Sequence, residues 1–242
     1  MQSNETFPVW LHLLASASLA LALACAALIA VDLARRPQKM WIMNLVWPLT
    51  ALFGGLLWLA GYFAWGRAQP RGGGGGGGEA AKPPFAVSVA KGASHCGAGC
   101  ALGDLIAEWA AFAWPGLAVA LGWGAIFAEK TFAVWILDFL VAATLGVGFQ
   151  YFTIKPMRDL TVGEGVWQAL KADLLSISAW QVGMYGAMAV GQFAWLKPAY
   201  GAIAPVASPE FWFVMQAAML AGFVTAYPVN WWLIRKGVKE AM

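Results

Sequence analysis

Ser94–Asp104 reads SHCGAGCALGD, and it gathers one of the two histidines and two of the three cysteines of the chain. Thiols beside an imidazole suit a soft metal ion or a thiol–disulfide reaction. Cys96, Cys100, Asp104 and Glu108 recur every four residues, with His95 beside the first. On an α-helix that step turns about 40° past a full turn, so the four groups form a slowly drifting polar stripe. Gly97 and Gly99 allow another geometry, in which the helix begins at Gly99 or Cys100 and His95 and Cys96 lie on a loop over its N-terminus. Either geometry predicts a thiol activated by the helix dipole and free amides.

A second sulfur pattern follows. Met184 and Met188 lie in WQVGMYGAM, and Met215 and Met219 in FVMQAAM. The spacing puts each pair on one helix face, one turn apart. The pairs fall at matched depth if their helices pack antiparallel, and four thioethers then converge. Soft sulfur ligands select Cu(I). Methionine also fills gaps in apolar cores, so ligation and packing both stay open. Glu108 and Asp138 sit deep in apolar runs, where charged groups tend to mark pathways or relays. Gln181 shares the methionine face, and Asn230 lies near the end of the last run; interhelical hydrogen bonding is the ordinary role of both.

These residues need membrane helices to position them. The 242-residue chain is 61% hydrophobic and 11% charged, about half the charge of a soluble domain. Six apolar runs, near 8–31, 41–65, 99–127, 131–154, 172–196 and 210–233, are each long enough to cross a bilayer core of about 30 Å. The expected class is all-α, a polytopic bundle of about six transmembrane helices. Net charge +3 with no basic patch excludes nucleic acid as a partner; the lipid bilayer is the expected one, with a homo-oligomer or a membrane partner protein also open. No Walker loop, HExxH, GxSxG or dinucleotide fingerprint is present, so no catalytic residues are assigned.

The chain divides into a two-helix membrane hairpin over 1–65, a Gly/Pro-rich linker over 66–92 containing Gly72–Gly78, and a four-helix core over 93–242. Six spans put both termini on one side, and the Lys/Arg bias makes that side cytoplasmic in a bacterial inner membrane. Arg35, Arg36 and Lys39 then lie outside, against the rule. If one N-terminal run fails to span, the N-terminus changes sides and the core keeps its orientation. Pro115 and Pro228 predict kinks, and 160–171 reads as a short amphipathic segment at the interface. Ser208-Pro209-Glu210 reads as a helix start. Ala142 with Gly146, and Gly183 with Ala187 and Gly191, predict close helix contacts.

SHCGAGCALGD, the Trp-Gln-Val-Gly-Met-Tyr-Gly segment and the ending AYPVNWWLIRKGVKEAM together resemble the bacterial membrane family called domain of unknown function 4396, over roughly 92–242. The resemblance implies a helical membrane bundle with the cysteine motif on its first core helix. It also implies His95, Cys96, Cys100, Asp104 and Asn230 as signature positions. The residues themselves point first to binding or transport of a soft metal, most plausibly copper as Cu(I). His95, Cys96 and Cys100 would form one site, and Met184, Met188, Met215 and Met219 another. A membrane thiol–disulfide oxidoreductase and a non-catalytic assembly protein are the alternatives.

Overall fold

The computed structural model describes residues 6–68, 83–154 and 161–240. The glycine run Gly72–Gly78 and the Lys155-Pro156 stop fall outside the described residues. The regular elements are helices: α1 (Val9–Arg35), α2 (Met43–Gly61, continued by π-helical turns Tyr62–Gly66), α3 (Phe85–Ala113), α4 (Gly116–Ala120), α5 (Lys130–Ile154), α6 (Val162–Ala189, continued by Val190–Leu196), α7 (Lys197–Tyr200) and α8 (Pro209–Arg235). Five stretches are long and apolar enough to cross a membrane: α1, Met43–Gly66, α3, α5 and α8. The run expected at 172–196 lies in α6, which is long enough but carries Asp173, Ser176, Ser178 and Gln181. Large apolar side chains such as Leu13, Leu23, Leu140, Val182, Val190 and Val224 face outward, while polar ones such as His95, Asp104, Asp138 and Asp173 are buried. This is the inside-out pattern of a polytopic membrane bundle.

The second run is not one straight helix. Its backbone leaves helical geometry at Gly55 (φ 49°, ψ −130°), a region that only glycine enters cheaply. Past that point the chain returns on itself. The Trp47 ring lies against Gly66 and 5.4 Å from the Tyr62 ring, although a straight helix would separate residues 47 and 66 by about 28 Å. Gln38 Nε2 donates to the Gly66 carbonyl at 2.9 Å, and Arg67 and Tyr62 both donate to Asp32 at the end of α1. Both legs of the re-entrant pair therefore open on the face where α1 ends. The tip is held at mid-depth: the Leu52 carbonyl, near the end of the inward leg, accepts from Gln216 Nε2 of α8 at 2.7 Å. Ser18 of α1 donates to the same Gln216. Broken helix inside a membrane needs its backbone satisfied by protein in this way.

This geometry sets the relative direction of the first and last long helices. His12 meets Glu210 and Ser18 meets Gln216, so α1 and α8 run parallel. Both start at one face, called the N-terminal face, and end at the other, the C-terminal face. The start of α1 and the start of α8 thus share one face of the bundle, and their ends share the other.

Three local expectations also change. The third helix starts at Phe85, well before Gly99, so the cysteine motif lies inside it. At Pro115 the helix is broken: α3 stops at Ala113 and a short α4 follows. The segment 160–171 is no separate interfacial piece, since Thr161 and Glu164 form a capping box that opens α6 directly. Other expectations hold. Ser208 caps α8 with Pro209 and Glu210 in its first turn. A methyl group on Gly103 would fall 2.7 Å from the Ala142 backbone, and one on Gly99 would fall 2.9 Å from Gly146. Gly183 and Gly191 likewise lie against Thr225 and Val214 of α8. Site-specific labelling of single cysteines at Gln2 and Met242 in sealed, oriented vesicles should mark the two ends from opposite sides; labelling of both from one side would contradict the re-entrant fold of α2.

Candidate functional site

α3 is the central helix and packs on α2, α5, α6 and α8. One side of it is stripped to glycine, where Gly99 and Gly103 admit α5 and Gly97 lies under the Trp180 ring of α6. The adjoining side presents Cys96, Cys100, Asp104 and Glu108, all buried. From Cys96 to Glu108 the row extends about 18 Å along the helix axis, a large part of a membrane's apolar thickness. Cys96 lies about three turns inside α3, so the dipole and free amides of a helix start do not reach it.

At the end of the row nearest the C-terminal face Cys96 has a crowded polar shell. Its thiol donates to Asp173 Oδ1 of α6 at 2.7 Å and its sulfur accepts from Ser176 Oγ at 3.1 Å. The Lys239 ammonium donates to the same sulfur at 2.8 Å, to Asp173 Oδ1 at 2.9 Å and to the Gly92 carbonyl at 3.3 Å. Asn230 of α8 donates to Ser176 at 2.6 Å. Lys239 comes from the short tail beyond α8, and its side chain is fully buried. Burial works against its charge, but the Asp173 carboxylate and the Cys96 sulfur outweigh that and hold its pKa above the ordinary lysine value. The ammonium is therefore charged at neutral pH. Neither Asp173 nor Lys239 stood out in the sequence. Asp173 had a readable signal, since an acid interrupts an apolar run there as Asp138 does in its own. Lys239 had none; it is brought inward by the turn at Gly237 (φ 68°).

Cys100 is buried one turn further along, and its thiol is free. Helical neighbours four apart keep their Cβ atoms about 5–6 Å apart, whereas a disulfide needs about 3.5–4.5 Å. An intact α3 therefore does not permit a Cys96–Cys100 bridge. His95 turns away from the row toward α5, where Nε2 pairs with Thr153 Oγ1 at 3.0 Å and the ring lies edge-on to Phe149. Among the described residues no group of three or more His, Cys, Asp or Glu is placed to hold a metal ion.

The inner half of the row is acidic. Asp104 accepts from Gln181 Nε2 of α6 at 3.4 Å. The Gly99–Gly146 and Gly103–Ala142 contacts set buried Asp138 of α5 level with Ala107, between Asp104 and Glu108, and Lys130 donates to the Ala111 carbonyl at the end of α3. Asp104 Oδ2, both Asp138 oxygens and Gln181 Oε1 have no hydrogen-bond partner among the described residues. Tyr185 closes this end, stacked on Trp135 and donating to its carbonyl.

The four methionines are buried. Contacts of Gly183 with Ala221 and of Gly191 with Val214 set an antiparallel register between α6 and α8. That register puts Met184 level with Met219 and Met188 level with Met215. On the α6 wheel the methionines fall between the α8 contacts (Trp180, Gly183) and the α3 contact Gln181. On α8 they fall between Val214 and Thr225, which contact α6, and Trp212, which stacks on Trp109 of α3. Met215 and Met219 also line a cavity of about 300 Å³ bounded by Leu19, Phe53, Leu105 and Trp109.

Residues 87–239 match the family described as Domain of unknown function (DUF4396). The chain belongs to that family. The DUF4396 match contains the whole α3 row, its α5, α6 and α8 partners and Lys239, while α1 and the re-entrant pair precede it. No curated protein and no solved structure matches the chain.

Removing one member of a buried ion pair strands the other's charge, at a cost of about 3–5 kcal/mol, whereas removing both members costs far less. Lys239→Ala should therefore lower the thermal midpoint of the detergent-purified protein sharply, and Asp173→Asn/Lys239→Met should recover most of the loss. Equal destabilisation by the single and the double variant would contradict the pairing.

Proposed function

We propose that the protein moves a cation across the membrane along the buried face of α3, and that the cation is a proton. The observation that carries this reading is the unbroken buried row Cys96–Cys100–Asp104–Glu108, extended by Asp138 and Gln181. Titratable groups are costly inside a membrane bundle and are retained where ions or protons pass. The carboxylate oxygens and the Gln181 oxygen without partners give a proton successive acceptors. Asp104 and Asp138 would accept and release it, Glu108 with Lys130 would form the exchange point toward the N-terminal face, and the Cys96–Asp173–Lys239 cluster would form the other mouth.

The orientation belongs to the same proposal. Arg35, Arg36, Lys39, Arg67, Arg235 and Lys236 lie at the C-terminal face, against Lys130 and Lys197 at the other. By the positive-inside rule the C-terminal face is cytoplasmic and the N-terminus is outside. This removes the conflict that Arg35, Arg36 and Lys39 pose for six spans, and it suits a bacterial inner membrane.

One specific observation favours a second reading, a soft metal such as Cu(I) as the cargo. Four buried thioethers at matched depth on α6 and α8, with two free thiols on α3, suit a soft cation. The absence of His95 from the cysteine row weighs against a His95–Cys96–Cys100 ligand set, and the helical spacing of Cys96 and Cys100 weighs against thiol–disulfide chemistry.

Proteoliposomes with an internal pH dye and an imposed potential separate the two readings. The wild-type protein should raise proton entry over empty vesicles. Asp138→Asn and Asp104→Asn should each cut it about tenfold or more, while Met184→Leu/Met215→Leu leaves it intact. Loss of Cu(I) uptake in the methionine variant, with no proton flux in any protein, would select the second reading and overturn the first.

A further inference from the structure

We propose that Lys239 occupies a cation-binding site at the C-terminal mouth of the row, and that a soft monovalent cation exchanges with it. The ammonium lies among a sulfur, a carboxylate oxygen and a backbone carbonyl: Cys96 Sγ, Asp173 Oδ1 and Gly92 O. These are ligands for a small monovalent cation of mixed to soft preference. A lysine head is a compact point charge on a flexible stem, and it makes no coordination bonds of its own. It stands in the site as a tethered surrogate.

Two further observations point to a ligand that comes and goes. The site has more acceptor capacity than the ammonium uses. Asp173 Oδ2 and Asn230 Oδ1 are buried without a hydrogen-bond partner among the described residues, and both residues have no exposed surface. The plug also lies beyond the end of a helix rather than within one. α8 ends at Arg235, the backbone turns at Gly237, and Lys236, Gly237 and Val238 are exposed. Release of Lys239 to the water at this face would break the bonds that the Val238 and Lys239 N–H groups donate to the Leu233 carbonyl, at the last turn of α8.

In the exchange the ammonium leaves as a cation and the metal ion enters. The Cys96 thiol proton passes to solvent as the sulfur–metal bond forms, so no electrons change hands. A fully inserted plug lowers apparent affinity in proportion to the fraction of time the site is open. The proposal concerns binding at one mouth and uses no flux measurement, so proton passage and this site stand or fall separately.

Ag(I), as its nitrate in chloride-free buffer, is the probe, with the full chain in lipid nanodiscs. In the wild-type protein, acylation of Lys239 by an amine reagent, read by mass spectrometry, should be slow without Ag(I). It should rise at least about tenfold at saturating Ag(I), and Cys96→Ser should abolish the rise. Lys239→Leu should bind Ag(I) about tenfold or more tightly than wild type, and Cys96→Ser/Lys239→Leu should lose that gain. If Lys239→Leu folds poorly, added Ag(I) should raise its thermal midpoint and leave that of Cys96→Ser/Lys239→Leu unchanged. Lys239 reactivity indifferent to Ag(I), or an increase that persists in Cys96→Ser, overturns the proposal.

Discussion

The fold depends on keeping the polar side of α3 away from lipid. That helix places two thiols and two carboxylic acids on one line and glycine beside them. A bilayer offers no hydrogen-bond partners, so every one of these groups must be enclosed by protein. The glycines solve the problem sterically. With no side chain at Gly99 and Gly103, α5 approaches to backbone contact and brings Asp138 and Thr153 inward. α6 and α8 close the other sides with Asp173, Ser176, Gln181 and Asn230. Close packing and polar burial are two consequences of the same sequence pattern.

The re-entrant pair is governed by the same constraint. A helix broken at mid-depth exposes carbonyls, and Gln216 is positioned to take one of them while Ser18 fixes its orientation. The pair lies against α3 and α8 through Trp58, which donates to Ser94 and packs on Phe223. Residues before the DUF4396 region therefore cover part of the helix that carries the row.

Much of this was legible in the sequence, and the rest has physical reasons for being hidden. Length and hydropathy revealed the membrane helices, and the four-residue interval revealed the stripe, because both are local properties of a helix. Ala142 and Gly146 were readable as contact points, as was the Ser208 cap. The turn at Gly54-Gly55 was hidden because a re-entrant pair and a single span have the same length and composition. The glycines at 97 and 99 misled for a related reason: they weaken an isolated helix, but here their small size is what the packing requires, and tertiary contact outweighs propensity. His95 lies next to Cys96 in sequence, yet adjacent helical positions point in different directions, which separates it from the thiols. Lys239 joins the cluster across a sequence separation that no local pattern records.

The account joins these parts into one claim, that protons move along the α3 row by way of Asp104 and Asp138. Infrared difference spectroscopy on membranes carrying the protein, recorded through a rapid pH jump, tests it most directly. The account predicts a change in the carboxylic C=O stretch that shifts in heavy water and is diminished by Asp104→Asn and by Asp138→Asn. A spectrum with no carboxyl change, or one that both variants leave intact, would contradict it.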